Sequence, residues 1–183
     1  MGNLVPLKAS LIVGSLLFLI PEVLEGFMDA ETVVLWSKFF GFSLCALGLA
    51  LTTQFFKGYV AMGATLLFAS TFIYFAATAI VALIVGKEQY ISVLAQQLGA
   101  GHLAIGVIHV ISGVMLAWLL PRGTLILRVG SLVLAVSLIA TAIASSMQEL
   151  SSLLTIVGLL KFGSLIVIGA SLDGTSMSST GDA

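Results

Sequence analysis

His102 and His109 are the only histidines in this chain of 183 residues, and they stand seven positions apart. On an α-helix seven residues make nearly two turns, so both imidazoles share one face, roughly 10 Å apart along the axis. That separation is too wide for one metal ion, which wants ligands four residues apart. Each histidine instead offers a single axial ligand to a haem, with Gly99, Gly106 and Gly113 as small neighbours. Bis-histidine ligation needs a second helix to supply a histidine, and this chain has none to give. Haem ligation by His102 or His109 would therefore need a partner chain or a different second ligand. The favoured reading is plainer: imidazoles hydrogen-bonded to a neighbouring helix or lining a wet cavity, with no cofactor and no metal site.

Lys161 stands in Gly158-Leu159-Leu160-Lys161-Phe162-Gly163, with about ten apolar positions on either side. Placing a lysine at the centre of a membrane helix costs at least ~2.5–3.5 kcal/mol on insertion scales. A lysine facing a polar lumen or an acidic partner is favoured here over one snorkelling to an interface. Phe68, Phe72 and Phe75 follow one another at helical spacing, i, i+4, i+7. Most such stripes pack against lipid or neighbouring helices; the functional alternative is a narrow aromatic sleeve for a small uncharged solute. Glu22 and Glu25, at i and i+3, form either an acidic vestibule or a pair of headgroup-level carboxylates.

Other chemistries are excluded. The sequence holds no nucleophile–base arrangement, Walker loop, dinucleotide fingerprint or zinc motif, so an enzyme is not expected. A net charge of −1 gives no basic field for nucleic acid. The lone Cys45 has no partner for an intrachain disulfide and reads as a small packing residue.

The elements that position these residues follow from composition. Hydrophobic residues make up 60% of the chain and charged residues 8%, with a mean hydropathy of +1.22. About a quarter of an ordinary soluble domain is charged, so this chain cannot clothe a globule in water. Crossing a bilayer takes about twenty apolar residues. Six segments qualify: residues 4–24, 33–53, 59–85, 98–120, 125–144 and 150–172. They are about twice the length of a barrel strand and lack its in–out alternation, and a helix pairs its own backbone groups within lipid. The expected fold is all-α, a polytopic membrane helix bundle of six transmembrane helices. Residues 1–173 form its single domain, and 174–183 make a short polar tail. The segment after Lys8 imitates a signal peptide, but Pro21-Glu22-Val23-Leu24-Glu25 is no cleavage site, so it reads as a retained first span.

The glycines, 19 in all, suit such a bundle. Small residues at Gly41, Cys45 and Gly48, and at Gly99, Gly106 and Gly113, let helices approach closely. With both termini cytoplasmic, Lys8, Lys57, Arg122 and Arg128 lie inside, while Lys38 and Lys87 lie outside beside Glu25, Asp29, Glu31, Glu88 and Glu149. That follows the positive-inside rule and places a multi-pass protein in the cell membrane. Lys38 opens the second segment and Arg128 the fifth, which hints at two inverted three-helix repeats.

The N-terminal half resembles the small six-span urea/amide channel family. The residues that carry the likeness are Val13-Gly14-Ser15-Leu16-Leu17-Phe18, Gly26, Asp29 and Phe39-Phe40-Gly41. They continue in the aromatic run Leu66-Leu67-Phe68-Ala69-Ser70-Thr71-Phe72-Ile73-Tyr74. The chain departs from the family near Ile20 and Ser37, where asparagines would stand, and it lacks the tryptophan-rich fifth span and the glutamate of the sixth. The resemblance implies an oligomer of six-helix protomers, each with its own pore.

Two functions remain open. The first is a channel or passive transporter for a small neutral solute, embedded in the lipid bilayer as a homo-oligomer. The second is a noncatalytic accessory subunit whose minimal loops and small-residue faces dock to other membrane subunits, in a respiratory complex for example.

Overall fold

The structure, a computed structural model, describes residues 4–24, 31–56, 58–86, 99–120, 124–146 and 151–172. The interhelical segments holding Glu25, Lys57, Lys87 and Arg122, and the polar tail 174–183, lie outside the described residues. Six α-helices fill the described chain: α1 (Leu4–Leu24), α2 (Glu31–Thr52), α3 (Tyr59–Val85), α4 (Gly99–Leu119), α5 (Leu125–Ser146) and α6 (Ser151–Ser171). The apolar runs locate every helix, with ends within two residues of expectation. Local chemistry sets the ends. Thr52 and Thr53 donate their hydroxyls to the Leu49 and Ala50 carbonyls, closing α2 before a short 3₁₀ turn at Thr53–Phe55. Gly86 ends α3 at φ 84°, a conformation glycine adopts without steric penalty. Thr124 caps α5 by accepting the Leu127 amide at 3.2 Å.

Each helix packs on its chain neighbours, and α6 returns to α1, so the bundle closes into a ring in chain order. Close backbone approach fixes the α1–α2 seam, where a Cβ on Gly14 would come 2.9 Å from the Gly41 carbonyl and one on Gly41 would come 2.9 Å from the Gly14 carbonyl. Gly48 and Gly169 receive Leu11 from opposite sides, Gly130 sits against Val167 and Ile168, and Gly113 is filled by Leu138 and Phe68. Adjacent helices run antiparallel. Lys8 meets Ala170 while Phe18 meets Phe162 across α1–α6, and Tyr74 meets His102 while Thr71 meets His109 across α3–α4.

This ring corrects the idea of two inverted repeats. A two-fold axis in the membrane plane reverses the order of helices around a ring, whereas pairing α1 with α4, α2 with α5 and α3 with α6 preserves that order. A rotation about the ring axis preserves the order but would map helices onto parallel mates, and α1 and α4 point oppositely. The ring's principal contacts therefore admit no such symmetry.

The distribution of polarity is inside-out. Leu66, Leu67, Ile84, Leu103, Leu132 and Ile143 are exposed, while Ser15, Thr65, Thr71, His109, Ser137 and Ser164 are buried. Buried hydroxyls return their protons to their own helices, as Thr65 does to Ala61 and Ser137 to Leu134, so they cost little inside. An apolar exterior around such an interior suits lipid. Four helices, α2 to α5, are long and apolar enough to cross a membrane. Among the described residues, α1 and α6 offer the shorter apolar stretches Leu4–Ile20 and Thr155–Ser171.

Packing differs between the two ends of the ring. The base, where Lys8 donates to the Ala170 carbonyl at 3.4 Å, is filled by Leu7, Leu11, Leu49, Leu116, Leu127, Leu134, Leu165 and Leu172, all buried. Toward the opposite end only Ala76, Ala79, Ala82 and Val157 are buried among the described residues. There the small alanines of α3 are buried, and His102, Tyr74, Phe75 and Lys161 are partly exposed.

Candidate functional site: an aromatic layer across the ring

Beyond the dense base, one ring from each of four helices joins a layer that ends on an imidazole. Phe18 of α1 stacks on Phe162 of α6 at 3.8 Å, and Phe42 of α2 lies 5.1 Å from Phe18 and 5.9 Å from Phe72 of α3. Phe72 reaches Phe162 at 6.2 Å and His109 of α4 at 5.2 Å. The tilted and edge-on geometries are those aromatic pairs prefer. Phe68, Phe72 and Phe162 are fully buried. The phenylalanines Phe68 and Phe72 of α3 thus face inward. Phe75, half-buried on the side away from the base, presents its edge to both His109 and His102.

His109 is 4% exposed and its protonation is dictated by its neighbour. The Thr71 hydroxyl donates its one proton to the Phe68 carbonyl at 2.6 Å. It must then accept from His109 Nδ1–H, 2.7 Å away. Among the described residues His109 Nε2 has no hydrogen-bond partner and is left as a lone-pair acceptor, held among the rings of Phe68, Phe72 and Phe75. A buried acceptor in that state is costly to the fold, on the order of 1–3 kcal/mol, and its retention asks for a use. His102 pairs more loosely with α3, its Nδ1 lying 3.2 Å from the Tyr74 hydroxyl at half-buried depth.

The immediate surroundings of His109 are filled. Three phenyl rings stand within 5.2 Å of the imidazole, and the space at Gly113 is taken by Leu138 and Phe68. Gly106, three residues before His109 and four after His102, meets nothing within 4 Å. No group of three histidine, cysteine, aspartate or glutamate side chains converges among the described residues.

Lys161 enters this layer from α6. Its ammonium lies 4.9 Å from the centre of the Phe162 ring, a cation–π distance. Cys45 sits buried in the α1–α2 seam with its sulfur 3.6 Å from the Ser15 hydroxyl. Glu22 lies on α1 one turn beyond Phe18, on the side of the layer away from the base; Glu25 is outside the described residues. Spacing alone did not single out Phe18, Phe42, Phe162 or Thr71. Each is one residue on its own helix, and only the ring brings them to one level.

No protein-family model matches the chain, and neither curated proteins nor solved structures give a match.

Proposed function

We propose that the chain is a six-span protein of the cell membrane, both termini cytoplasmic, that passes a small neutral solute along the ring axis. The observation that carries this reading is the aromatic layer inside the ring, with its buried acceptor and its lysine, set beyond the leucine-filled base. Phenyl rings offer no oxygen ligands to replace an ion's hydration shell, and the Lys161 charge raises a further barrier to cations. A neutral, planar N–H donor such as urea or a short amide slides between rings and is met by His109 Nε2. The rings touch, so passage needs their rotation.

The resemblance of the N-terminal half to six-span urea/amide channels points the same way, and it implies that several such rings assemble. Gly101 on α4, and Gly158 and Gly163 on α6, meet nothing within 4 Å in one chain, which leaves room for the helix of a second copy. The test is uptake of urea and acetamide into proteoliposomes, with sodium as the excluded control. Uptake no faster than in empty vesicles overturns the proposal.

The packed aromatic layer itself favours a second reading, a noncatalytic accessory subunit whose ring is a rigid spacer. Purification in mild detergent separates the two. A homogeneous particle of this chain alone supports the channel, whereas stoichiometric partner subunits support the accessory role.

A further inference from the structure

The α4–α5 seam opens outward near the base into a groove of about 420 Å³. Val114, Ala117, Leu132 and Ala135 give it an apolar lining, and Trp118 and Arg128 stand at its membrane-interface end. The groove exists because Ala117, Ser131 and Ala135 are too small to fill the seam, and Ser131 turns its hydroxyl away to the Leu127 carbonyl at 2.8 Å. Trp118 is 79% exposed in the last turn of α4, and the exposed Arg128 lies in the first turn of α5. Both therefore stand at one membrane-interface level, where an indole and a guanidinium are at home. Along the groove the chemistry changes once, from cation and indole at the edge to hydrocarbon two helical turns deeper.

We propose that this groove binds an anionic phospholipid of the leaflet at the base, its phosphate on Arg128 and one acyl chain laid along Val114, Ala117 and Ala135. Charge complementarity selects the occupant. A zwitterionic lipid fills the apolar wall equally well but gains less at Arg128, because its own ammonium competes for the phosphate. The base also carries Lys8, so under the positive-inside rule it faces the leaflet in which anionic lipids are enriched. The site depends on membrane embedding and not on solute conduction.

The experiment is native mass spectrometry of the full chain in detergent, titrated with phosphatidylglycerol or with phosphatidylcholine of the same acyl chains. Phosphatidylglycerol is expected to bind about 5-fold more tightly, the ratio one basic side chain near a surface supplies. Arg128→Gln should bring that ratio close to one, while Lys8→Gln, at the same end of the ring, leaves it unchanged. Ala135→Trp, which fills the apolar wall, should weaken both lipids together. Glycerol phosphate, a headgroup without chains, should not compete. A preference that survives Arg128→Gln, or full competition by glycerol phosphate, overturns the proposal. Melting in lipid-free detergent shows that each variant is folded, and if Arg128→Gln is not, retained lipid binding in Ala135→Trp is by itself sufficient to overturn it.

Discussion

Gly14→Ala adds one methyl group at the tightest point of the α1–α2 seam. That methyl would stand 2.8 Å from the Cys45 amide nitrogen, 2.9 Å from the Gly41 carbonyl oxygen and 2.9 Å from Leu44 Cβ. Two of these three atoms are backbone, so no side-chain rotation relieves the clash and the helices must separate by roughly half an ångström. A gap of that size forfeits about a quarter of the dispersion well at each contact it opens. The same displacement loosens Gly41 against Phe18 and Gly48 against Leu11. Overpacking of this kind costs about 1–3 kcal/mol. For a chain of this size that lowers the melting midpoint by about 2–4 °C per kcal/mol. Gly106→Ala is the matched control, since nothing lies within 4 Å of its added methyl. It removes a helix-interior glycine and should be neutral or stabilising by up to ~1 kcal/mol. The assay is tryptophan-fluorescence melting of both variants in one detergent. If Gly14→Ala melts with or above Gly106→Ala, the α1–α2 approach described here is wrong.

Thr71→Val keeps the side-chain shape but leaves His109 Nδ1–H without an acceptor, so it should cost about 1–3 kcal/mol. In a His109→Phe background that penalty should vanish, and a double-mutant cycle of melting midpoints showing no coupling would remove the Thr71–His109 bond from the account. Lys161→Met, neutral but of similar length, should insert and melt like the parent yet lose solute uptake or partner recovery, and Lys161→Glu should be worse because it reverses the field at the aromatic layer. Normal uptake and normal complex recovery in Lys161→Met would show that the lysine only snorkels. Phe162→Leu thins the layer where Phe18 and Phe162 stack and should cost less than the ~3 kcal/mol at which Phe→Ala changes begin. It should speed uptake of urea into proteoliposomes, and an unchanged rate would place the constriction elsewhere.

Composition and run length by themselves determined that the chain is all-helical and where each helix lies. A 60% apolar chain has little choice of solvent, and an apolar run in lipid has little choice of backbone. The same reasoning located Lys161, His102, His109 and the phenylalanines of α3, because unusual residues in uniform surroundings stand out without knowledge of the fold. It did not reveal how the helices are arranged. Leu/Ala/Gly helices are alike on every face, so the inverted-repeat idea had no means of telling ring order from symmetry. Nor did the glycine spacing separate Gly113, filled by Leu138 and Phe68, from Gly106, which touches nothing. The aromatic layer was illegible for a related reason. Phe18, Phe42, Phe72, His109 and Phe162 come from five helices and share no spacing in the chain. Their common level is set by antiparallel packing through Gly14, Gly41 and Gly169, a product of helix contact that exists only once the ring has closed.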